Sequence, residues 1–232
     1  MIAINIAEGD EVVDVRLTNG RNELILADRN GRAVRFDEAD IRTMGRTATG
    51  VRGMRLDGGD DAVVGMIVVN DASKESVMVV SEEGYGKRSE VEDYRKTSRG
   101  GKGVKTLAVT DKTGRLVAIK NVTDENDLMI INKSGIVIRL AVADVRIMGR
   151  ATQGVRLINL TKKNDVIASV CKVMSSELEA MVEAESRQKF SENNEHFAQS
   201  TTAADAQDAP TEVGESQEPE VEGDDQNGNT DE

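Results

Sequence analysis

The chain has 232 residues and a formal net charge of −12, with one Cys, one His and no Trp. A single cysteine excludes a disulfide framework, and one cysteine with one histidine excludes a His/Cys zinc site. No apolar run reaches the roughly 18 residues of a membrane span and no signal peptide is visible, so the expectation is a soluble cytoplasmic protein without a membrane partner.

In chain order, Ala3-Ile4-Asn5-Ile6 comes first, followed by predicted strands at Val12–Leu17 and Glu23–Ala27. The turn dipeptide Asn30-Gly31 then leads into the alternating stretch Arg32–Phe36, which predicts a hairpin. A glycine-rich loop and a strand over Val51–Leu56 complete the unit. The next unit predicts strands at 63–69, 76–80 and 86–91, and the one after it at 116–120, 128–131 and 136–140. The loop makes the repetition plain. Met44-Gly45-Arg46-Thr47-Ala48-Thr49-Gly50-Val51-Arg52 returns as Met148-Gly149-Arg150-Ala151-Thr152-Gln153-Gly154-Val155-Arg156, with Thr97–Lys105 between them. Arg46, Arg99 and Arg150 stand 53 and 51 residues apart.

Four short strands per unit of this length predict an all-β, propeller-like array of about three blades plus partial units. The units run about 10–56, 60–107 and 114–160, with half-units at 1–9 and 164–173. A WD-type propeller is excluded by the absence of Trp, and a flat open meander is the structural alternative. Ala3–Ile6 aligns with Leu157–Leu160, the end of a unit, so the expectation is a piece of a longer array.

Composition changes near Met174. Residues 1–173 hold 28 basic and 25 acidic residues, a net +3, whereas 174–232 hold 2 and 17, a net −15. Ser176 and Glu179 form a capping-box pattern that predicts a short helix at 174–190. From 191 onward almost nothing is apolar, which predicts a disordered acidic tail. Cys171 falls in an apolar stretch (165–173) and is expected as a core thiol. His196 lies in the tail, so the body offers no His-based catalysis. Tyr94 stands where the sibling units have Ile41 and Val145, which places it in the core.

The loops carry the chemistry. Glycine turns with Arg or Lys suit anions, because backbone N–H groups and cationic side chains converge there. Gly101-Lys102-Gly103 lacks the Ser or Thr that must follow the lysine of a nucleotide-binding loop, and its lysine is Thr49 and Gln153 in the siblings. A polyanion fits the recurrence better. The aligned cations are Arg35, Arg42, Arg46 and Arg52; Arg88, Arg95, Arg99 and Lys105; and Arg139, Arg146, Arg150 and Arg156. Repeated cations at one position of each unit can follow the phosphates of a duplex, with little base reading. The competing reading makes Arg35, Arg42 and their equivalents solvated, ion-paired charges, with Asp40, Asp93 and Asp144 beside the Arg42 series. Gly50, Gly103 and Gly154 can likewise serve only to supply a positive φ.

Arg99-Gly100-Gly101-Lys102-Gly103 and the two Met-Gly-Arg…Gly-Val-Arg copies resemble the C-terminal domain of the DNA gyrase A protein, over residues 1–173. The signature box of that family reads Gln-Arg-Arg-Gly-Gly-Lys-Gly; here Thr97 and Ser98 replace its first two residues, and the flanking copies are looser. The resemblance implies a β-pinwheel that wraps double-stranded DNA on a basic rim, and an acidic tail of the kind seen in that family. It implies a parent type IIA topoisomerase that negatively supercoils DNA using ATP and Mg2+, with the gyrase B protein as partner. The nucleophilic tyrosine would lie outside this chain, which has no cofactor of its own. The site residues so implied are Arg99, Gly100, Gly101, Lys102, Gly103, Lys105, Arg46, Arg52, Arg150, Arg156, Arg35, Arg88 and Arg139. The degraded boxes also suit the corresponding domain of topoisomerase IV, and a propeller-type protein-interaction scaffold is the reading from a different class.

The tail's charge generates a prediction. A segment with this much negative charge competes with a polyanion for the cationic loops. Deleting residues 191–232 is expected to tighten duplex binding at low salt, as read by fluorescence anisotropy; unchanged affinity rejects the competition.

Overall fold

The computed structural model describes residues 3–160 and 165–175, together with Ala180, Glu183, Arg187 and Phe190. These last four are helical positions of the expected 174–190 helix; the remainder of that stretch, and the tail from 191, lie outside the described residues. The chain divides into units 1–181 and 182–232. All the described strands lie in the first.

Among the described residues eleven strands form three antiparallel sheets. The first sheet has the order β3-β1-β2-β6: β1 (Glu23–Asp28) and β2 (Arg32–Asp37) are a hairpin, flanked by β3 (Val63–Val69) and the two-residue β6 (Val104–Lys105). The second has the order β10-β5-β4-β7, from β4 (Ser76–Ser81), β5 (Tyr85–Glu90), β7 (Leu116–Val122) and β10 (Val155–Arg156). The third is β11-β8-β9, from β8 (Asn126–Asn132), β9 (Val137–Ala141) and β11 (Ile167–Met174). Each hairpin ends in a one-turn 3-10 helix, at Glu38–Asp40, Val91–Asp93 and Val142–Asp144.

A sequence repeat is therefore not a blade. The first two sheets each take their central hairpin from one repeat and their two outer strands from the next, and the third sheet takes its one outer strand, β11, in the same way. This corrects the expectation of four strands contributed by one unit, while the four-stranded blade itself holds. Cross-strand pairs fix the exchange: Ala33 lies opposite Val104, and Gly86 opposite Val155.

The same exchange explains two further corrections. Val12–Leu17 and Val51–Leu56 were expected as strands, and neither is one. They correspond to β3 and β6, whose hydrogen-bond partners are the hairpin of the preceding unit. Among the described residues no hairpin from a unit before the first is present to pair with them, and Val15 and Leu17 are 80% and 98% exposed. Cys171 is a third correction, being exposed rather than core. In β11, Ile167 and Val170 turn inward, and the register shift between Ile167 and Ser169 leaves Cys171 outward.

The blades pack face to face. Ile25, Ile67 and Val69 of the first meet Val77, Val79, Tyr94, Leu107 and Ile119 of the next. Met78, Val80 and Val122 in turn meet Leu128, Ile130 and Val170. Each such side chain contributes about 1.5–3 kcal/mol when fully buried. Tyr94 is completely buried, as its alignment with Ile41 and Val145 predicted, and its hydroxyl is paired with that of Thr106. Burial pushes that phenol up to about 12.

Two glycines permit the interlock. Gly103 and Gly154 adopt φ of +77° and +79°, and a Cβ there would lie 2.3 Å from the Ala33 carbonyl oxygen and 2.4 Å from that of Gly86. Gly50 has the same φ, at +83°, but faces open space. Gly50→Ala is expected to cost about 1 kcal/mol, from the left-handed backbone alone. Gly103→Ala and Gly154→Ala are expected to cost about 1–3 kcal/mol more, because backbone must move. Chemical denaturation measures the difference, and equal losses at the three positions would contradict the interlock.

Candidate nucleic-acid interface

The glycine-rich loops lie one on the next. Gly100 N–H donates to the Gly53 carbonyl at 2.6 Å, and Arg55 N–H donates to that of Gly101 at 2.9 Å. One unit on, Ala108 N–H donates to the Thr152 carbonyl at 3.1 Å. Two arginines brace these contacts in the same way. Arg99 donates through Nε to the Asp40 carbonyl (3.0 Å) and through Nη1 to that of Arg52 (3.1 Å). Arg150 donates to the carbonyls of Asp93 (3.1 Å) and Lys105 (2.8 Å). Carbonyl oxygens leave both guanidinium charges uncompensated, so the loops 45–56, 97–105 and 149–156 form a joined cationic strip.

The cations of this strip fall into two classes. Arg35 and Arg88, expected at the interface, belong to the joints between blades, and this corrects their assignment. Both are buried. Arg35 donates to Glu23 at 2.6 Å and to the carbonyls of Val91 (2.8 Å) and Tyr94 (3.1 Å). Arg88 donates to the Val145 carbonyl at 2.6 Å and is paired with Asp124. A guanidinium with its donors directed at buried carbonyls is not available to an external phosphate. Arg139, their third equivalent, bonds Asp127 at 2.7 Å and the Met174 carbonyl at 2.8 Å, so it ties β9 to its neighbours in the same manner.

Arg42, Arg46, Arg52, Arg95, Lys105 and Arg146 form the other class. All are exposed, and their side chains make no hydrogen bond or ion pair among the described residues. The Arg42, Arg95 and Arg146 series, which alignment places in register, is thus fully free. Asp40 and Asp93, read as its ion-pair partners, present their backbone carbonyls to Arg99 and Arg150 instead.

Lys102 lies between the classes. It is exposed but bonds Asp57 at 2.6 Å. That bond holds the Asp57 carboxyl below its ordinary range. An exposed ion pair of this kind is worth at most about 1 kcal/mol, so a phosphate can replace the carboxylate at little cost. Beside it, a recess of about 280 Å³ is bordered by Arg95, Ser98, Lys102 and Gly103. The glycines act first as geometry, since Gly100 N–H is engaged by the neighbouring loop. Arg156 stacks on Tyr85, its guanidinium carbon 5.4 Å from the ring centre, and its Nη2 donates to the phenol oxygen at 2.9 Å.

Sequence reasoning missed Lys87. It is completely buried behind the third loop, donating to the Gly149 carbonyl (2.9 Å) and to the Ser89 hydroxyl (3.0 Å). Burial pushes its ammonium down to about 8. Its siblings are Val34 and Ile138, so no repeat pattern announced it. Among the described residues no group of three or more His, Cys, Asp or Glu side chains could hold a metal ion.

Comparison with known proteins gives consistent results. The family model described as "DNA gyrase C-terminal domain, beta-propeller" matches residues 1–19, 22–70, 75–123 and 126–171. The DNA gyrase A proteins of two Staphylococcus aureus strains, MRSA252 and NCTC 8325, are 48% identical over 172 residues, covering 74% of this chain. That match spans only 19% of the length of those relatives. The solved C-terminal domain of DNA topoisomerase IV superposes with a TM-score of 0.70 at 29% identity, covering 79% of this chain and 57% of the other. The solved DNA gyrase A C-terminal domain superposes with a TM-score of 0.68 at 26% identity, covering 75% and 58%. The four matched stretches cover most of the chain, and by them the chain belongs to the DNA gyrase C-terminal domain family of β-propellers.

Proposed function

We propose that this chain binds and bends double-stranded DNA along the strip of stacked loops, as the wrapping segment of a gyrase A protein. In this reading it acts within a bacterial, ATP-dependent supercoiling enzyme that includes the gyrase B protein. Cleavage, ATP and Mg2+ belong to other parts of that assembly. The carrying observation is the recurrence of exposed, unpaired cations at one position of each repeat, Arg42, Arg95 and Arg146, just ahead of loops hydrogen-bonded to one another.

The physical balance supports wrapping over a simple contact. Bending a 20–30 base-pair duplex by 40–90° costs of order 1–6 kcal/mol. Several phosphate contacts must offset that, and each neutralised phosphate adds counterion release. Six free cations, with Arg99, Arg150 and Lys102 beside them, supply contacts of this kind. The sequence identity to gyrase A favours this reading over topoisomerase IV, whose C-terminal domain shares the same fold. A protein-binding scaffold has no comparable support, because the distinguishing surface is cationic and periodic rather than apolar.

Combining Arg42→Ala, Arg95→Ala and Arg146→Ala is expected to weaken binding to all duplex sequences alike and to reduce the log–log salt slope by about 3. The melting temperature should be unchanged, since none of the three has a partner to lose. Arg35→Ala is expected to act oppositely, lowering stability by about 3 kcal/mol through the loss of a buried partner of Glu23. Anisotropy titrations over a salt series, run with thermal unfolding, separate the two. Triple-variant affinity equal to that of the wild type would remove these arginines from the interface.

A further inference from the structure

One pair of side chains has no role in the strip and no complete set of partners. Asp28 ends β1 and is 1% exposed; Asp61 precedes β3 and is 9% exposed. Each keeps one buried carboxylate oxygen, Oδ2 of Asp28 and Oδ1 of Asp61, that no donor reaches. Their other oxygens are engaged: Asp28 Oδ1 accepts from Arg32 N–H at 2.8 Å, and Asp61 Oδ2 from Asp57 N–H at 3.0 Å.

The third repeat shows how these two positions meet. Asn132 stands where Asp28 does, and its Oδ1 accepts from Ile136 N–H at 2.7 Å, the same four-residue bond. Asp165 stands two residues before β11, as Asp61 stands two before β3. Asn132 Nδ2 donates to Asp165 Oδ2 at 2.7 Å. In the second repeat the corresponding residues are Ser81 and Gly114, neither of them charged. Only the first repeat places two carboxyl groups here, and two carboxylates have no hydrogen to donate.

We propose that Asp28 and Asp61 share one proton in the folded protein, the acid O–H of one replacing the amide N–H that joins Asn132 to Asp165. The pair is then a built-in proton site, holding the first hairpin to the start of the next repeat. Like charges buried side by side favour retention of a proton. Burial pushes the Asp28 carboxyl up to about 6, with Asp61 and Asp57 acting in the same direction and Arg32 against it. Val63, opposite Asp28 on β3, carries no charge.

The site is joined to the loops. Asp57, which donates its N–H to Asp61, is the residue that Lys102 bonds at 2.6 Å. When a phosphate draws Lys102 away, the Asp57 carboxylate keeps only its longer contact with Arg32, at 3.8 Å, and its field strengthens proton retention at Asp28. Linkage makes this reciprocal, so protonation of the pair tightens phosphate binding. This second step rests on the DNA reading above; the shared proton does not.

For an acid whose folded pKa is raised, stability is fully present below the ordinary carboxylate value and is lost as pH rises through about 6. The carboxyls held low, such as Glu23, Asp57 and Asp60, change below their ordinary range, and Lys87 changes near 8, so pH 5–7.5 isolates the pair. The experiment is thermal unfolding of the full chain across that window. Wild-type melting temperature should fall as pH rises. Asp28→Asn, which rebuilds the Asn132 arrangement, should remove that fall and match or exceed wild type at pH 7.5. Parallel curves, or a variant less stable at every pH, would overturn the shared proton. Should Asp28→Asn fail to fold, carbon-13 NMR of the wild-type carboxyls decides directly, with one midpoint near 6 expected and completion of all titrations by pH 5 overturning it. Duplex affinity at fixed salt should rise several-fold from pH 7.5 to 5.5 in wild type but not in Asp28→Asn; an equal rise in both overturns the link to Lys102. Absence of DNA binding at every pH would count against the DNA reading alone, since unfolding decides the proton.

Discussion

The exchange of strands between successive repeats depends on one close approach, that of a left-handed glycine to the backbone of the preceding hairpin. At Gly103 and Gly154 any Cβ would overlap a carbonyl oxygen, so the loop can reach the neighbouring sheet only if no side chain intervenes. That approach lets β6 and β10 close the earlier blades. It also draws each loop onto the one before it, where Gly100 and Gly53 meet. Blade closure and the alignment of the cationic loops are thus one geometric event. A loop that moved away to admit a Cβ would lose its strand pairing and its place in the strip together.

Charge is sorted by the same frame. Arg35 and Arg88 emerge from hairpin strands that the next loop crosses, so they are covered and directed at buried carbonyls. Arg42, Arg95 and Arg146 follow the 3-10 turns, beyond the covered part, and remain free. Arg99 and Arg150 sit between, anchored by carbonyls that neutralise none of their charge. Burying a guanidinium demands partners, whereas an exposed one needs none until a phosphate arrives. The depth of each position in the joint, rather than its residue type, therefore separates the scaffold arginines from the contact arginines.

Much of this was legible in the sequence. Hairpin turns at Gly31, Gly84 and Gly135 and the strands around them follow from alternation and turn chemistry, and Tyr94 was placed by the apolar residues of its siblings. The exchange between repeats was not legible, because a period states that units are alike and not which unit a strand joins. That is why Val12–Leu17 and Val51–Leu56 read as strands: their composition is right, but the hairpin they would pair with is absent from the described residues. Cys171 was misread because apolar neighbours do not reveal a register shift. Arg35 and Arg42 looked equivalent, since local sequence carries no signal of which one the next loop will cover. Lys87 had no signal at all, as a lysine among apolar siblings resembles an exposed substitution until its carbonyl partners are seen.

The central claim is that stacked loops present phosphate-binding cations along a path that bends a duplex. End-to-end energy transfer on a doubly labelled duplex of about 40 base pairs, somewhat longer than the 20–30 base pairs over which bending costs are reckoned, tests it most directly, using the full chain at low salt. The account predicts transfer that rises on binding and disappears as salt releases the complex, with the same amplitude for unrelated sequences. A duplex that binds yet keeps the end-to-end distance of free DNA would contradict it.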